Sequence, residues 1–261
     1  MMPAIVDLLA GGFVGLVSGM SSGLLGVSPG GGLVVFSVLL LGAEQHVAQG
    51  ISLIAQVPPT SLAGIRRYRE NGNHSPLRWL VLLGIGFVIG GLAGAYAAAG
   101  VADKPLQWTY VGYLVVLLAM LILRGNRDRP ANDDSTVKPV GTLALLVIGL
   151  AGGVSSGFLG IGGGLAITVG LSAALGVPQH QAQMVSLVLS LIPTTLPPAY
   201  VYWTQGFSAS WLAIAGIVAG LWLGSDLGAR CANRIDKTSL HRTMVWFVAA
   251  MALLMAWKAM R

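Results

Sequence analysis

The chain is a succession of apolar runs separated by short polar stretches, and the runs fall into two sets of five. In the first half they lie at residues 4–25, 30–42, 46–66, 77–99 and 106–124; in the second, at 140–160, 164–176, 180–202, 208–229 and 242–260. A helix needs about 20 apolar residues to cross a bilayer, so most of these runs are expected to be membrane spans. The second run of each set, 30–42 and 164–176, is too short for an upright crossing. Each is expected to be a half-helix or a re-entrant piece. Between the sets, residues 125–139 carry Arg127, Asp128, Arg129, Pro130, Asp133, Asp134 and Lys138 and read as a cytoplasmic linker. The expected organisation is a first transmembrane repeat over 1–124, a linker over 125–139 and a second repeat over 140–261.

The two sets are copies of each other. With Ser21 set on Ser155 and no gaps, 15 of the 33 positions from Ser21 to Leu53 are identical to Ser155–Leu187. A composition rich in Leu, Gly and Ala would give roughly one in ten by chance. The same register continues through Pro59/Pro193, Thr60/Thr194, Tyr68/Tyr202, Gly72/Gly206, Gly86/Gly220, Gly90/Gly224 and Gly94/Gly228. Internal repeats of this kind build many transporters.

Loop charges indicate how the copies face. The loop after the third run carries Arg66, Arg67, Arg69 and Arg78 in copy one, and no charge from Thr204 to Ser210 in copy two. The loop after the fourth run has only Asp103 and Lys104 in copy one, against Arg230, Arg234, Lys237 and Arg242 in copy two. Basic loops stay cytoplasmic, so the positive side has swapped, as in an inverted repeat with an odd number of crossings per half. Both termini then fall outside, a placement that Lys258 and Arg261 run against. The fold class expected is therefore an all-α polytopic membrane protein of two inverted repeats, each of about five apolar helical segments.

Composition agrees with this picture. Of 261 residues, 55% are hydrophobic and 9% charged, with a mean hydropathy of +0.77, where a soluble domain carries about 25% charged residues. The net charge of +6 comes from loop residues that set orientation and does not point to nucleic acid. Cys231 is the single cysteine, which excludes an internal disulfide and a cysteine-built metal site. The first run lacks a basic leader and flows directly into a Ser-Ser-Gly motif, so it reads as a membrane segment rather than a cleaved signal.

Candidate chemistry centres on Ser155-Ser156-Gly157-Phe158-Leu159-Gly160-Ile161-Gly162-Gly163-Gly164 and its near-copy Ser21-Ser22-Gly23-Leu24-Leu25-Gly26-Val27-Ser28-Pro29-Gly30. Glycine at this density makes poor helix, and irregular backbone at membrane depth is tolerated where it lines a polar cavity. The alternative is that these glycines only allow two helices to pack closely. The runs contain almost no fixed positive charge. An anion site would therefore use backbone N–H groups at half-helix N-termini and the hydroxyls of Ser21, Ser22, Ser155 and Ser156. Gly23, Gly26, Gly157 and Gly160 would let the backbone approach, with the broken helices meeting near the midplane.

A second repeated constellation joins Gln45, His46, Gln49 and Ser52 to Gln179, His180, Gln183 and Ser186. Spacings of three put His46, Gln49 and Ser52 on one helical face. Gln49, Ser52, Gln183 and Ser186 are candidates to line the solute path, and helix-to-helix hydrogen bonding is the alternative. His46 and His180 are candidates for proton coupling, against a plain interfacial role. Gly86, Gly90, Gly94, Gly220, Gly224 and Gly228 are expected to be helix-contact ridges. Trp79, Trp108, Trp203 and Trp211 are expected at the membrane interface. Pro58-Pro59 and Pro197-Pro198 are expected to break the third run of each half, and Asp226 to be an interfacial charge.

Paired Ser-x-Gly-x-x-Gly-x-Gly-Gly-Gly motifs, each followed by an apolar span and a polar-headed, proline-containing span, resemble the TauE/SafE family of sulfite-exporter-like permeases over nearly the whole chain. Copy one departs from the pattern, with Ser28-Pro29 where copy two has Gly162-Gly163. The resemblance implies secondary transport, as an exporter, of small sulfur-containing anions such as sulfite or organosulfonates. It implies a multi-pass protein of the cell inner membrane whose partners are the anion and the lipid bilayer, compatible with a homo-oligomer, with no nucleic acid, cofactor or metal. A passive anion channel of the same fold is one alternative. An intramembrane serine hydrolase is another, suggested by Gly153-Val154-Ser155-Ser156-Gly157, although every candidate group for it is duplicated. There is no Gly-x-x-x-x-Gly-Lys-Ser loop, so a gradient rather than ATP would drive transport.

Overall fold

A computed structural model describes residues 2–25, 28–58, 75–125, 140–206, 209–232 and 237–261. The linker, the Arg66–Arg69 segment and Gly26 lie outside these. The described residues contain helices and no strand. We number the helices α1 (Met2–Leu25), α2 (Gly30–Leu40), α3 (Gln45–Ala55), α4 (Leu77–Ala99), α5 (Asp103–Gly125), α6 (Thr142–Leu159), α7 (Gly164–Val169, continued by a π-turn Gly170–Ala174), α8 (Gln179–Leu189), α9 (Leu196–Thr204), α10 (Trp211–Ala232) and α11 (Lys237–Met260). Among the described residues four stretches, within α1, α4, α6 and α10, are long and apolar enough to cross a membrane: Ala4–Leu24, Leu77–Ala99, Thr142–Leu159 and Trp211–Gly228. The short second runs form short helices. At 1.5 Å per residue, the 11 residues of α2 reach about half of the ~30 Å hydrocarbon core.

The chain divides into two compact units that cross the boundary between the sequence repeats. One comprises Met1–Ala48, Val101–Asn132 and Ser210–Arg261; the other, Gln49–Gly100 and Asp133–Ala209. Each is built on a pair of helices taken one from each repeat, α1 with α10 in the first unit and α4 with α6 in the second.

Glycine makes both pairs. A Cβ on Gly15 or Gly19 would overlap backbone of Ile217 or Leu221, and a Cβ on Gly149 or Gly153 would overlap backbone of Leu83 or Phe87. The glycines of α10 and α4 do the same in return: Gly220 and Gly224 lie on Gly12 and Leu16, and Gly86 and Gly90 lie on Leu146 and Leu150. The repeat register carries each of these contacts onto one in the other pair, so that Gly15 on Ile217 answers to Gly149 on Leu83. In both pairs the partner number rises with the glycine number, so the paired helices run parallel. The expected ridges are thus helix-contact surfaces, where missing side chains bring backbones together.

In the second unit, Leu83, Phe87, Leu145, Ile167, Leu171, Val185 and Leu189 close a core around the α4–α6 pair. In the first, α5 packs along α11, the rings of Phe36 and Phe247 sit 6.1 Å apart, and Tyr110 Oη donates to the Gly31 carbonyl at 2.8 Å. The outer faces carry exposed Leu77, Ile89, Leu143, Val147, Leu223 and Trp246, an apolar surface suited to lipid and unsuited to water.

Three structural expectations are refined. Trp108 and Trp211 are exposed, whereas Trp79 is 6% exposed and belongs to the core. Pro197 and Pro198 do not interrupt a helix: they sit in the first turn of α9, where proline fits. The interruption lies at Ser190–Thr195, around Pro193. Asp226 pairs with Arg230 at 2.6 Å across one exposed helical turn, a contact of small energetic consequence.

Candidate functional site

The second unit contains the helix break expected from the glycine run. Helix α6 stops at Leu159 and α7 starts at Gly164. Gly160, Gly162 and Gly163 take φ values of +71°, +79° and +61°, left-handed backbone that a side chain would strain. Gly160 also meets α3 closely, since a Cβ there would lie 2.8 Å from Gln49 Cα.

A helix that ends inside a membrane protein leaves carbonyls that lipid cannot satisfy. Side chains from α3 and α9 supply the partners, and one from α8 reaches the first carbonyl of α7. Ser52 Oγ donates to the Gly160 carbonyl at 2.6 Å, and Gln56 Nε2 reaches the Ser52 carbonyl at 2.9 Å and its Oγ at 3.0 Å. Ser186 Oγ donates to the Gly164 carbonyl at 3.1 Å. Tyr202 Oη stands 2.8 Å from the Gly157 carbonyl and 2.9 Å from Gln49 Oε1, sharing one proton between two acceptors. Two donors remain over: Ser156 Oγ and Gln49 Nε2 have no partner among the described residues, and both residues are fully buried. Leaving a buried donor unpaired costs about 1–3 kcal/mol, so these groups suit a polar ligand.

Beside the break is a cavity of about 20 Å³, room for roughly one water. Its polar lining comes from Gln56, Ser186, Ser190, Thr194 and Thr195, with Gly162 and Gly164 of the break; Phe87, Ile167, Leu189 and Ile192 complete it. None of the described lining residues is charged. Gln56 and Ser190 are equivalent positions of the two repeats.

The sequence-derived site residues are partly gathered here. Gln49, Ser52, Ser156, Gly157, Gly160 and Ser186 all stand at or beside the break in the second unit. Ser155 and Ser21 point their hydroxyls back into their own helices, to the Gly152 and Ser18 carbonyls at 2.9 and 2.8 Å. The serine pairs stand in the closing turns of α1 and α6, so they approach the breaks from helix C-termini. Gly157 is a packing position, because a Cβ there would overlap the Gly91 carbonyl. Gln183 is half-buried on α8. Ser21, Ser22 and Gly23 belong to the first unit, as does His46, whose Nδ1 lies 2.5 Å from Asp103 Oδ1. His180 is the second residue of α8.

Sequence reasoning missed Gln56, Ser190, Thr194, Thr195 and Tyr202 as site residues. The signal for two of them was present: Thr60/Thr194 and Tyr68/Tyr202 are identities within the repeat, which read only as register.

A family model described as "Sulfite exporter TauE/SafE" matches residues 11–255. Over 249 residues the chain is 26% identical to the "Probable membrane transporter protein YdhB" of Bacillus subtilis (strain 168), covering 91% of this chain and 95% of that protein. It is 30% identical over 272 residues to a "Probable membrane transporter protein" of Xylella fastidiosa (strain 9a5c), covering 98% and 95%. With its apolar helices and paired repeats, this multi-pass membrane transporter belongs to the sulfite exporter TauE/SafE family.

Proposed function

We propose that the protein is a gradient-driven exporter of small sulfur-containing anions such as sulfite or organosulfonates in the cell inner membrane. The observation that carries this reading is the cavity at a glycine break inside an apolar unit, whose described lining is hydroxyl and amide without a charge. Neutral donors hold an anion less tightly than an Arg would, which suits a site that must also release it. At the size of one water the cavity has no room for an anion, so loading requires its walls to part. Two of those walls lack continuous helical hydrogen bonding: the glycine break between α6 and α7, and the Ser190–Thr195 interruption between α8 and α9. The unpaired donors of Ser156 and Gln49 stand at the same break and would turn to the anion oxygens. The swapped loop charges favour inverted repeats, with a homo-oligomer compatible with the exposed apolar faces. The choice of sulfur anions is supported by the family's description.

The test is saturable flux in proteoliposomes across sulfite, sulfate, thiosulfate and short sulfonates. Losing one hydrogen bond to a charged acceptor costs about 1.5–3 kcal/mol, roughly tenfold to hundredfold in affinity. Thr194→Val and Ser156→Ala should therefore each raise the half-saturating concentration of the preferred anion about tenfold or more. Thr204→Val, an exposed hydroxyl bonded to its own helix, should not. Unchanged half-saturation in both site variants would show that the break is a packing device.

A further inference from the structure

The first unit holds a buried polar arrangement that the anion site does not use. His46, 5% exposed at the start of α3, sets Nδ1 2.5 Å from Oδ1 of Asp103, which opens α5. Asp103 keeps a third of its side chain exposed, so the pair joins a buried imidazole to an accessible carboxylate. Beside it in sequence, Gln45 is fully buried with neither amide atom partnered among the described residues. A buried amide of this kind is commonly met by water, the medium through which a proton would arrive.

With Nδ1 at hydrogen-bond distance from a carboxylate, imidazole and carboxylate form one pair able to share a proton. A proton taken up by the pair makes an imidazolium against a carboxylate, and its release restores the neutral ring. The arrangement is particular to copy one, because the position equivalent to Asp103 in copy two is Lys237.

Other ionisable groups on the surrounding elements are few. Glu44 precedes α3, which carries none besides His46; α5 adds Lys104, Tyr110, Tyr113 and Arg124, and α2 carries none. Helix α11, packed along α5, has Lys237, His241, Arg242 and Lys258, and α1 has Asp7.

We propose that the His46–Asp103 pair is the proton-binding site of the transport cycle, changing its protonation once per anion moved. This rests on the reading of the protein as a gradient-driven carrier. The test measures the ratio of protons to anions moved in proteoliposomes holding a pH-sensitive dye. The anion is methanesulfonate, which, unlike sulfite, takes up no proton near neutrality. Wild-type protein should move about one proton per anion. Asp103→Asn and His46→Gln should bring the ratio near zero, and Asp103→Glu should restore it. Where a variant transports too slowly, the same comparison is made on detergent-solubilised protein. There, methanesulfonate binding should change the pH of a weakly buffered solution for wild type and not for the variants. A purely structural pair would lower rate or stability while leaving the ratio at its wild-type value, and that result overturns the proposal. A wild type that carries anions with no protons overturns it too, leaving the exporter reading intact. A wild type that carries no anion of the panel sinks the exporter reading itself.

Discussion

Replacing Gly160 by alanine separates two demands that the break places on one residue. The first is conformational: φ is +71°, and a non-glycine residue in left-handed backbone costs about 1–2 kcal/mol. The second is spatial: the new Cβ would sit 2.8 Å from Gln49 Cα, and overpacking of this kind costs about 1–3 kcal/mol. Together they predict a loss of about 2–5 kcal/mol. Gly176 is a matched control, with φ +67° and nothing within 4 Å of the methyl that alanine would add, so Gly176→Ala should lose only about 1–2 kcal/mol. Asparagine tolerates left-handed backbone, so Gly160→Asn should recover the conformational part and keep the steric one. The assay is thermal and denaturant unfolding of the purified proteins in one detergent, with anion flux measured alongside. Because Gln49 moves with the clash, Gly160→Ala should also impair flux, whereas Gly176→Ala should not. Equal destabilisation by the two alanines would refute the claim that α3 depends on this close approach.

The glycine pairing makes a sharper contrast. Gly153→Ala drives a methyl into the Phe87 carbonyl and should cost about 1–3 kcal/mol or more. Gly12→Ala meets nothing nearer than 3.9 Å and should be neutral or gain up to about 1 kcal/mol in unfolding measurements. Tyr202→Phe removes the hydroxyl shared by Gly157 and Gln49 and should cost about 1–3 kcal/mol, with reduced flux in proteoliposomes. Inverted repeats predict that cysteines placed at Arg78 and Ser210 on a Cys231→Ser background react with an impermeant reagent from opposite sides. Equal labelling of the two in intact cells would contradict that topology.

Much of this architecture is legible in the sequence because its causes are local or repeated. The shortness of α2 and α7 follows from run length, the break from a glycine cluster, and the helix ridges from glycines four apart. Helix partnership is not local: no pattern within α1 says that it packs on α10 rather than on a helix of its own repeat. The glycine ridges announce that a partner exists without naming it. The position of the helix end was similarly hidden. Because α6 continues through the serine pair to Leu159, Ser155 is helical and turns its hydroxyl back to Gly152. Thr194 and Thr195 were overlooked because Pro197-Pro198 drew the interruption to themselves, while the chain leaves the helix at Ser190.

The measurement that bears most directly on the carrier reading is counterflow. Proteoliposomes preloaded with unlabelled sulfite are diluted into a trace of labelled sulfite, and the internal label is followed with time. A carrier that loads its site on one side at a time should accumulate label transiently above its equilibrium level, with a half-saturating sulfite concentration that rises about tenfold in Thr194→Val. Label that climbs monotonically to equilibrium, with equal kinetics in Thr194→Val, would contradict the account and describe a passive pore.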